Sequence, residues 1–326
     1  MSTSKAAGWT VRQIPSQNGK RIFITGANSG VGYSAALELA RRGAVVLMGC
    51  RDRVRGEAAL ARLRQEASGP DSAASEARVV ELDLASLASV RRVADDLNSV
   101  HQPLHGLINN AGVMSPPKRK LTQDGFELQF GTNVLGHFAL TCQLMPALAM
   151  AGQGDVAAES RTRVVTLSSI AHKQGRIYFD DIQSERQYSP MGAYQQSKLA
   201  DLMFAFELER RLRERAVAVS SMAVHPGVAR TSLFKVGNSK GIARVFEQAI
   251  AFGIGTFLNS EAGGAVPTLF AMTAPEAEGG GYYGPQSLQE MRGGDVGPAV
   301  VAPQARDEAA QQRLWSICEQ ATGCTL

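Results

Sequence analysis

Residues 25–32, Thr25-Gly26-Ala27-Asn28-Ser29-Gly30-Val31-Gly32, decide the fold of this chain. They join an apolar run at residues 21–25, which predicts a buried strand, to residues 30–42, which predict a helix that ends at Gly43. Glycines at such a junction let the backbone turn tightly and approach a pyrophosphate, and the helix N-terminus supplies free N–H groups. The candidate cofactor residues here are Gly26, Asn28, Ser29, Gly30, Val31 and Gly32. A glycine-rich turn that holds no ligand is the alternative.

The same order of strand and helix continues along the chain. Further strands are predicted at residues 44–49, 78–82, 105–109, 163–167 and 217–224, and further helices at residues 53–67, 86–99, 122–150 and 192–215. This alternation, with right-handed crossovers, predicts an α/β fold with a Rossmann-type, doubly wound parallel sheet. We predict a single domain over residues 1–326, because no linker interrupts the pattern. Its cofactor half spans about 20–150, its catalytic and substrate half about 151–326, and a helical substrate flap about 228–260.

Composition and charge exclude several other classes of protein. The 326 residues are 44% hydrophobic and 20% charged, near the globular average, and the basic residues behind the formal net charge of +4 are scattered. A nucleic-acid-binding protein usually carries a denser basic stripe, so no nucleic-acid partner is expected. The cysteines lack CxxC spacing and no histidine cluster accompanies them, so no metal is expected; they are Cys50, Cys142, Cys318 and Cys324.

The sequence also carries no segment that we expect to enter a membrane. The first twenty residues lack an apolar run, which argues against a signal peptide. The longest apolar stretch, residues 249–258, is too short to span a bilayer. We therefore expect a cytoplasmic protein without a membrane anchor.

The end of the second strand bears on which dinucleotide the chain prefers. An acidic residue at this point accepts bonds from the ribose hydroxyl of NAD, whereas an arginine suits the 2′-phosphate of NADP. Here Cys50 ends the strand, Arg51 begins the loop and Asp52 follows. A guanidinium offers two parallel bonds to a phosphate, which favours NADP(H). In the alternative, Asp52 binds the ribose of NAD(H) and Arg51 lies in solvent.

Two further strand ends are candidates to border the cofactor. Asp83, followed by Leu84, comes after the third strand and can accept a bond from an adenine amino group. The alternative for Asp83 is a carboxylate that serves the start of the next helix. Small residues end the fourth strand and would let the backbone lie beside the cofactor, while an asparagine amide ties neighbouring strands; the candidates are Asn110, Ala111 and Gly112. An ordinary turn is the alternative there.

One tyrosine stands out as a candidate general acid/base. Of the six tyrosines, only Tyr194 has a lysine four residues later, Lys198, and on a helix this spacing puts both side chains on one face. Reducing a carbonyl needs an acid beside its oxygen, and a phenol with its ordinary pKa of about 10 exchanges its proton poorly at neutral pH. A neighbouring ammonium lowers that pKa because it favours the phenolate. The alternative is a pair on a helix surface.

Ser168 and Ser169 close the fifth strand, at the carboxyl end of a predicted central strand. Side chains at such an end point into the ligand crevice of a doubly wound sheet. A hydroxyl there can hydrogen-bond the substrate oxygen. The alternative is a serine pair that only ends a strand.

Together these motifs resemble the short-chain dehydrogenase/reductase family. The likeness runs in order from about residue 20 to 232 and rests on TGANSGVG, NNAG, Asn133 within GTNVLG, the strand-ending serine, YxxxK and Pro226-Gly227. Three segments look most like the retinol-dehydrogenase-like branch: SSIAH at residues 168–172, HPGV at 225–228 and RLW at 313–315.

The resemblance implies roles for single residues. Tyr194 would be the general acid/base, and Lys198 would bind the nicotinamide ribose and lower the pKa of Tyr194. Asn133 would hold a water that links Lys198 to solvent. The spacing to Tyr194 in this branch selects Ser169 as the hydroxyl that polarises the substrate. The remaining candidate cofactor residues are Pro226, Gly227, Val228 and Thr231, of which the last two would contact the carboxamide.

We therefore expect an NADP(H)-dependent alcohol dehydrogenase or carbonyl reductase. Ser29 stands where many NADP-preferring relatives carry a base, so NAD(H) remains the alternative. The apolar flap suggests an apolar small-molecule substrate, and a homo-oligomer is left open. The rival function is a catalytically idle, cofactor-binding regulator on the same fold, which generally lacks the tyrosine or lysine kept here. A third is an interaction module at residues 207–215, although their interleaved Glu and Arg are typical of a solvated helical face.

Overall fold

Apolar runs from both halves of the chain build one central sheet. The computed structural model describes residues 8–69, 71–74, 76–152, 162–228 and 259–326. Within them the strands are β1 (Arg21–Thr25), β2 (Val45–Cys50), β3 (Arg78–Glu81), β4 (Gly106–Asn109), β5 (Thr162–Leu167), β6 (Val219–Val224), β7 (Tyr282–Ser287) and β8 (Arg292–Pro298). The helices are α1 (Gly30–Arg41), α2 (Arg53–Glu66), α3 (Leu87–Ser99), α4 (Phe130–Gly152), α5 (Pro190–Glu214), α6 (Glu261–Thr273) and α7 (Glu308–Thr322).

The order of the strands confirms the doubly wound sheet. Among the described residues it is β3-β2-β1-β4-β5-β6-β7-β8, and every neighbouring pair up to β7 is parallel. The direction of winding reverses between β1 and β4, which places the ligand crevice of this fold at their carboxyl ends. The edge strand β8 departs from the predicted parallel sheet, because the short turn after Ser287 lets the chain return only antiparallel to β7.

Apolar side chains cover both faces of the sheet. One face packs against α3, α4, α5 and α7, where the ring of Phe138 contacts Phe204 and Trp315 at centroid distances of 5.8 and 4.8 Å. The other face packs against α1, α2 and α6, and the ring of Trp9 lies edge-on to Phe270 at 5.4 Å. Helices on both faces explain why the central strands are almost wholly apolar.

The predicted helix at residues 122–150 begins later than expected. Leu121 and Glu127 form an isolated bridge, and the helix α4 starts at Phe130 with a π-helical turn, Phe130–Leu135. The Glu127 carboxylate accepts bonds from the backbone N–H groups of Gln129 (3.0 Å) and Phe130 (2.8 Å), so it caps the helix start. This contact is not visible in the periodicity, which explains the error. The other predicted elements shift by one or two residues.

Helix α4 is also the described segment that comes nearest to a membrane span. By length and hydropathy, mean value 1.5, it could cross a bilayer, and it is longer than the stretch singled out from the sequence. However, 72% of its apolar window is buried inside the protein. It is a core helix, and it carries both Asn133 and His137.

The two ends of the predicted flap are close together. The chain leaves the described region after Val228 and re-enters it at Asn259, whose N–H donates to the Val228 carbonyl at 2.8 Å. Ser260 then caps α6, because its hydroxyl accepts from the Gly263 N–H at 3.0 Å. The remainder of the flap, with Thr231, lies outside the described residues.

A buried hydroxyl joins β1, β4 and α4 at the point where the sheet changes direction. Thr25 Oγ1 accepts bonds from the N–H groups of Asn110 and Ala111, both at 2.9 Å, and lies 2.9 Å from His137 Nε2. His137 Nδ1 lies 2.8 Å from the Asn133 carbonyl, which can only accept, so Nδ1 carries a proton. Burial lowers the pKa of His137 to about 3, so the ring is neutral and Nε2 accepts from the Thr25 hydroxyl.

We expect Thr25→Val to lower the free energy of unfolding by about 2–4 kcal/mol, because two partly buried N–H groups and one buried imidazole nitrogen lose their partner. Thr25→Ser, which keeps the hydroxyl, is the control and should lose well under half as much. Urea denaturation followed by circular dichroism measures both. Equal destabilisation of the two variants would show that the methyl group, not the hydroxyl, matters.

Candidate active site

A cleft of about 330 Å³ opens at the carboxyl ends of the central strands. Most of the predicted cofactor residues line it: Gly26, Asn28, Ser29, Gly30, Val31, Gly32, Arg51, Asp83, Leu84, Asn110, Ala111, Gly112, Tyr194, Lys198 and Pro226. The topology therefore brings the glycine turn and the YxxxK pair to one site, as the position of the switch point requires.

The glycine turn has the shape of a phosphate cradle. Gly26 and Gly30 have φ of +68° and +61°, which a side chain would strain. A Cβ on Gly32 would lie 2.4 Å from Asn110 Nδ2, and that amide donates to the Thr25 carbonyl at 2.7 Å. The α1 N-cap, Ser29, makes no side-chain capping bond, so the first N–H groups of the helix are left for a ligand. These features fit the pyrophosphate of a dinucleotide.

Three charged side chains border the cleft after β2. Arg51, Asp52 and Arg55 all line it. The Asp52 carboxylate caps α2 by accepting from the Arg55 N–H at 3.0 Å, and it lies 3.5 Å from Arg55 Nε. Arg51 is exposed and has no hydrogen-bond or ion-pair partner among the described residues. This edge of the cleft, after β2, is therefore cationic, and Asp52, the one carboxylate among the three residues, already accepts a bond within the protein.

Asp83 lies in the cleft and does not cap the next helix. Its Oδ1 accepts from the Ala85 N–H at 3.0 Å, which forms a local turn. The residue that caps α3 is Ser86, whose hydroxyl accepts from the Ser89 N–H at 3.3 Å. The alternative predicted from the sequence, in which the Asp83 carboxylate caps the start of the next helix, is therefore wrong.

Tyr194 and Lys198 form one wall of the cleft from the first turns of α5. Both are buried, with 9% and 5% of their surface exposed, so they are not a pair on a helix surface. Lys198 Nζ donates to the Leu167 carbonyl at 2.8 Å and to Asp201 Oδ2 at 2.7 Å. Burial alone would lower the pKa of Lys198, but the Asp201 carboxylate and Tyr194 raise it above its ordinary value. The ammonium therefore stays charged beside the phenol.

The two strand-ending serines have different partners. Ser168 lines the cleft, but its hydroxyl donates to the Lys198 carbonyl at 2.7 Å. Ser169 is half-buried and is not among the described residues that line the cleft; its hydroxyl oxygen accepts from the Ala171 N–H at 3.2 Å. Because Ser169 Oγ only accepts in this contact, its own proton is free for another acceptor.

Asn133 lies wholly buried behind the cleft, in the π-helical turn of α4. Its amide accepts from the Val113 N–H at 2.8 Å and donates to the Val113 carbonyl at 3.0 Å and to Ser197 Oγ at 2.9 Å. The side chain thus fixes the segment after β4 against α5. The water expected beside Asn133 stays a prediction.

Of residues 226–228, the described part of the segment after β6, one lines the cleft. Pro226 lines the cleft, whereas Gly227, with φ +70°, and Val228 turn away towards the β7–β8 turn. The Val228 N–H donates to the Met291 carbonyl at 2.9 Å. The expected carboxamide contacts of Val228 and Thr231 are therefore still predictions.

Some functional residues were missed by the sequence interpretation. The cleft is also lined by Thr25, Gly49, Arg55, Leu82, Val113, Thr132 and Leu167. Several of them end a strand or follow one, and that position was the available signal. Arg55 lies one turn after Arg51, so helical spacing could have found it. His137 lies one turn after Asn133, but only the fold shows that it contacts Thr25.

The interleaved Glu and Arg of α5 are not the fully solvated face that the sequence suggested. Glu207 and Glu209 are buried, and Glu209 Oε2 accepts from the Ser221 N–H at 2.7 Å. Their charges are matched by Arg210, Arg211 and Arg213 at N···O distances of 2.6–2.7 Å. This segment anchors α5 to β6.

Comparison with known proteins gives the same family as the motifs. The family model for short chain dehydrogenase matches residues 20–241. Retinol dehydrogenase 14 of Mus musculus is 40% identical over 313 residues, with 94% of this chain and 86% of that protein covered. Polyprenol dehydrogenase of Mus musculus is 39% identical over 312 residues, with 95% and 86% covered.

Solved structures share the architecture. A crystal structure of an uncharacterized protein from Mycobacterium Paratuberculosis matches with a TM-score of 0.77 and 38% identity, covering 97% of this chain and 98% of that one. The Pseudomonas aeruginosa RhlG/NADP complex matches with a TM-score of 0.61 and 21% identity, covering 82% and 94%, which indicates the fold alone. From the motifs, the sheet and these relatives together, the chain belongs to the short-chain dehydrogenase/reductase family of nicotinamide-dependent oxidoreductases, in its retinol-dehydrogenase-like branch.

Proposed function

We propose that this protein is an NADP(H)-dependent oxidoreductase that interconverts an alcohol and a carbonyl group on an apolar small molecule, with Tyr194 as general acid/base. One observation carries the proposal. Tyr194 and Lys198 are buried side by side in the cleft that the glycine turn borders. An idle regulator would have no use for a buried phenol and ammonium that face its cofactor cleft.

The bound nicotinamide supplies or accepts the hydride in this reaction. Tyr194 donates a proton to the substrate oxygen in reduction and takes it back in oxidation. Lys198 favours the phenolate of Tyr194 through its positive charge. Ser169 keeps a free hydroxyl proton, which suits it to donate to the substrate oxygen. Ser168 is the weaker candidate because its proton is committed to the Lys198 carbonyl.

The preference for NADP(H) rests on the charges after β2. Asp52 is engaged as the cap of α2 and as a partner of Arg55, so it is poorly placed to serve a ribose hydroxyl. Arg51 has no described partner and lines the cleft. Guanidinium groups at this edge suit a 2′-phosphate, which carries the charge that NAD lacks.

An apolar substrate is proposed from two independent observations. The flap is rich in large apolar residues, namely Phe234, Val245, Phe246, Ile250, Phe252, Ile254 and Phe257. The relatives include a retinol dehydrogenase and a polyprenol dehydrogenase, and both retinol and polyprenol are apolar alcohols. We therefore propose a primary alcohol or aldehyde on a long apolar chain.

Tyr194→Phe tests the acid/base role. It removes the phenol hydroxyl and keeps the ring, so kcat should fall by at least about 100-fold, the lower end of what general acid catalysis contributes. NADPH affinity, measured by fluorescence titration, should stay within about threefold of wild type. Turnover is followed by NADPH absorbance with a panel of apolar aldehydes. Near-native turnover in this variant would refute the assignment.

Arg51→Ala tests the cofactor preference. Loss of one charge-assisted bond to the 2′-phosphate should weaken NADPH binding by about 10- to 100-fold and leave NADH binding nearly unchanged. Arg53→Ala is the matched control, because Arg53 is a neighbouring exposed arginine that does not line the cleft. If Asp52 instead binds the ribose of NAD(H), the wild type should bind NADH more tightly than NADPH, and Asp52→Ala should weaken NADH binding.

A further inference from the structure

A buried carboxylate that the proposed reaction does not use lies next to the catalytic lysine. Asp201 is on α5, three residues after Lys198, and only 2% of it is exposed. Its Oδ2 lies 2.7 Å from Lys198 Nζ. The roles that the family resemblance implies do not include Asp201.

Asp201 carries charge at neutral pH despite its burial. Desolvation raises the pKa of its carboxyl to about 6 and outweighs the attraction of Lys198, which acts in the opposite direction. Above that pH the carboxylate is ionised, and the Lys198 ammonium is the cation within ion-pair distance in the described structure. A buried charge without such a partner would be very costly, so the two groups hold each other.

The contact also decides what Lys198 can do. An ammonium has three N–H donors, and two of them are committed to Asp201 and to the Leu167 carbonyl. One donor is left for the cleft, which Lys198 lines. The direction of that last donor is therefore fixed by two protein contacts. At the same time, the negative charge offsets part of the positive field that Lys198 exerts on Tyr194.

We propose that Asp201 is a positioning residue that fixes the Lys198 ammonium and, through its negative charge, offsets part of the field by which Lys198 favours the Tyr194 phenolate. The proposal rests on the proposed function, since an effect of Asp201 on turnover is expected only if Tyr194 is the general acid/base. Its consequence is a phenol that stays protonated, and therefore able to donate, to a higher pH.

The other titratable groups packed around this pair do not change charge in the relevant range. His137 faces Lys198 from α4, and burial lowers its pKa to about 3. Cys318 faces Asp201 from α7, and Tyr282 faces Tyr194 from β7; burial raises the pKa of both, so they stay neutral. Among the described residues, a difference in the ionisation of Tyr194 between the variants can then be attributed to Asp201 and Lys198.

The test is a spectroscopic titration that needs no turnover. Phenolate absorbs near 295 nm, and the difference between a protein and its Tyr194→Phe partner isolates Tyr194 from the other tyrosines. We would titrate the wild type against Tyr194→Phe, and Asp201→Asn against the double variant that also carries Tyr194→Phe. Asparagine keeps the shape and an oxygen acceptor for Lys198 but removes the charge. The pKa of Tyr194 should fall by about 0.5–1 unit, the scale of one charge acting across an intervening side chain.

The pH profiles of turnover should shift in the same direction as the pKa of Tyr194. Oxidation of the alcohol needs the phenolate, so its acid limb should move to lower pH by the same amount; reduction needs the phenol, so its alkaline limb should also move down. Glu214→Gln is the matched control, because Glu214 is an exposed carboxylate on the same helix that pairs with Arg210, and it should leave both limbs unchanged.

An unchanged or raised pKa of Tyr194 in Asp201→Asn would overturn the proposal, since a purely structural role predicts no shift and a displaced lysine predicts a rise. If Asp201→Asn does not fold, Asp201→Ser removes the same charge with less bulk and is judged by the same shift. The outcome is separable from the proposed function. A shifted titration with normal turnover in Tyr194→Phe would refute the acid/base role and leave the Asp201 contact standing.

Discussion

The Thr25 hydroxyl is the contact on which the rest of the site depends. It is placed where the winding of the sheet reverses, and it bonds at once to the backbone after β4 and to a histidine of α4. β1 and β4 pair through a parallel ladder that runs up to Ile24 and Ile108, and the Thr25 hydroxyl extends this link to the backbone beyond the ladder. With that contact made, the glycine turn and residues 110–112 lie against each other, and both line the cleft.

The same contact links the cofactor side to the catalytic side. From Thr25 the bonds pass through the His137 ring to the Asn133 carbonyl, and the Asn133 amide continues to Ser197 Oγ, which donates to the Tyr194 carbonyl. Each of these groups is buried, so an unmade bond would be expensive and the chain of contacts has few alternatives. The turn of α5 that carries Tyr194 is thereby held in register with β1, more than 160 residues earlier in the sequence.

The parts of this structure that could be predicted from the sequence are those that short segments determine. The run at residues 21–25 with its glycine turn, and the spacing of Tyr194 and Lys198, fixed the expected strand, cradle and helix face within a residue or two. The start of α4 could not be predicted, because it is capped by the buried carboxylate of Glu127, which accepts from the backbone N–H groups of Gln129 and Phe130. The spacing of apolar residues carries no sign of this contact. Partners such as His137 for Thr25 need the tertiary fold, since 112 residues separate them.

The acidic residues of α5 show two ways of burying charge, and the difference bears on function. Glu207 and Glu209 are buried, but they pair with arginines that reach solvent, so these pairs keep much of their hydration. Lys198 and Asp201 are both buried, with 7% and 2% of their side chains exposed. A buried ion pair is often no better for stability than apolar residues of the same volume, so stability does not explain its presence. The proposed reaction requires the lysine, and the carboxylate fixes the position of its ammonium.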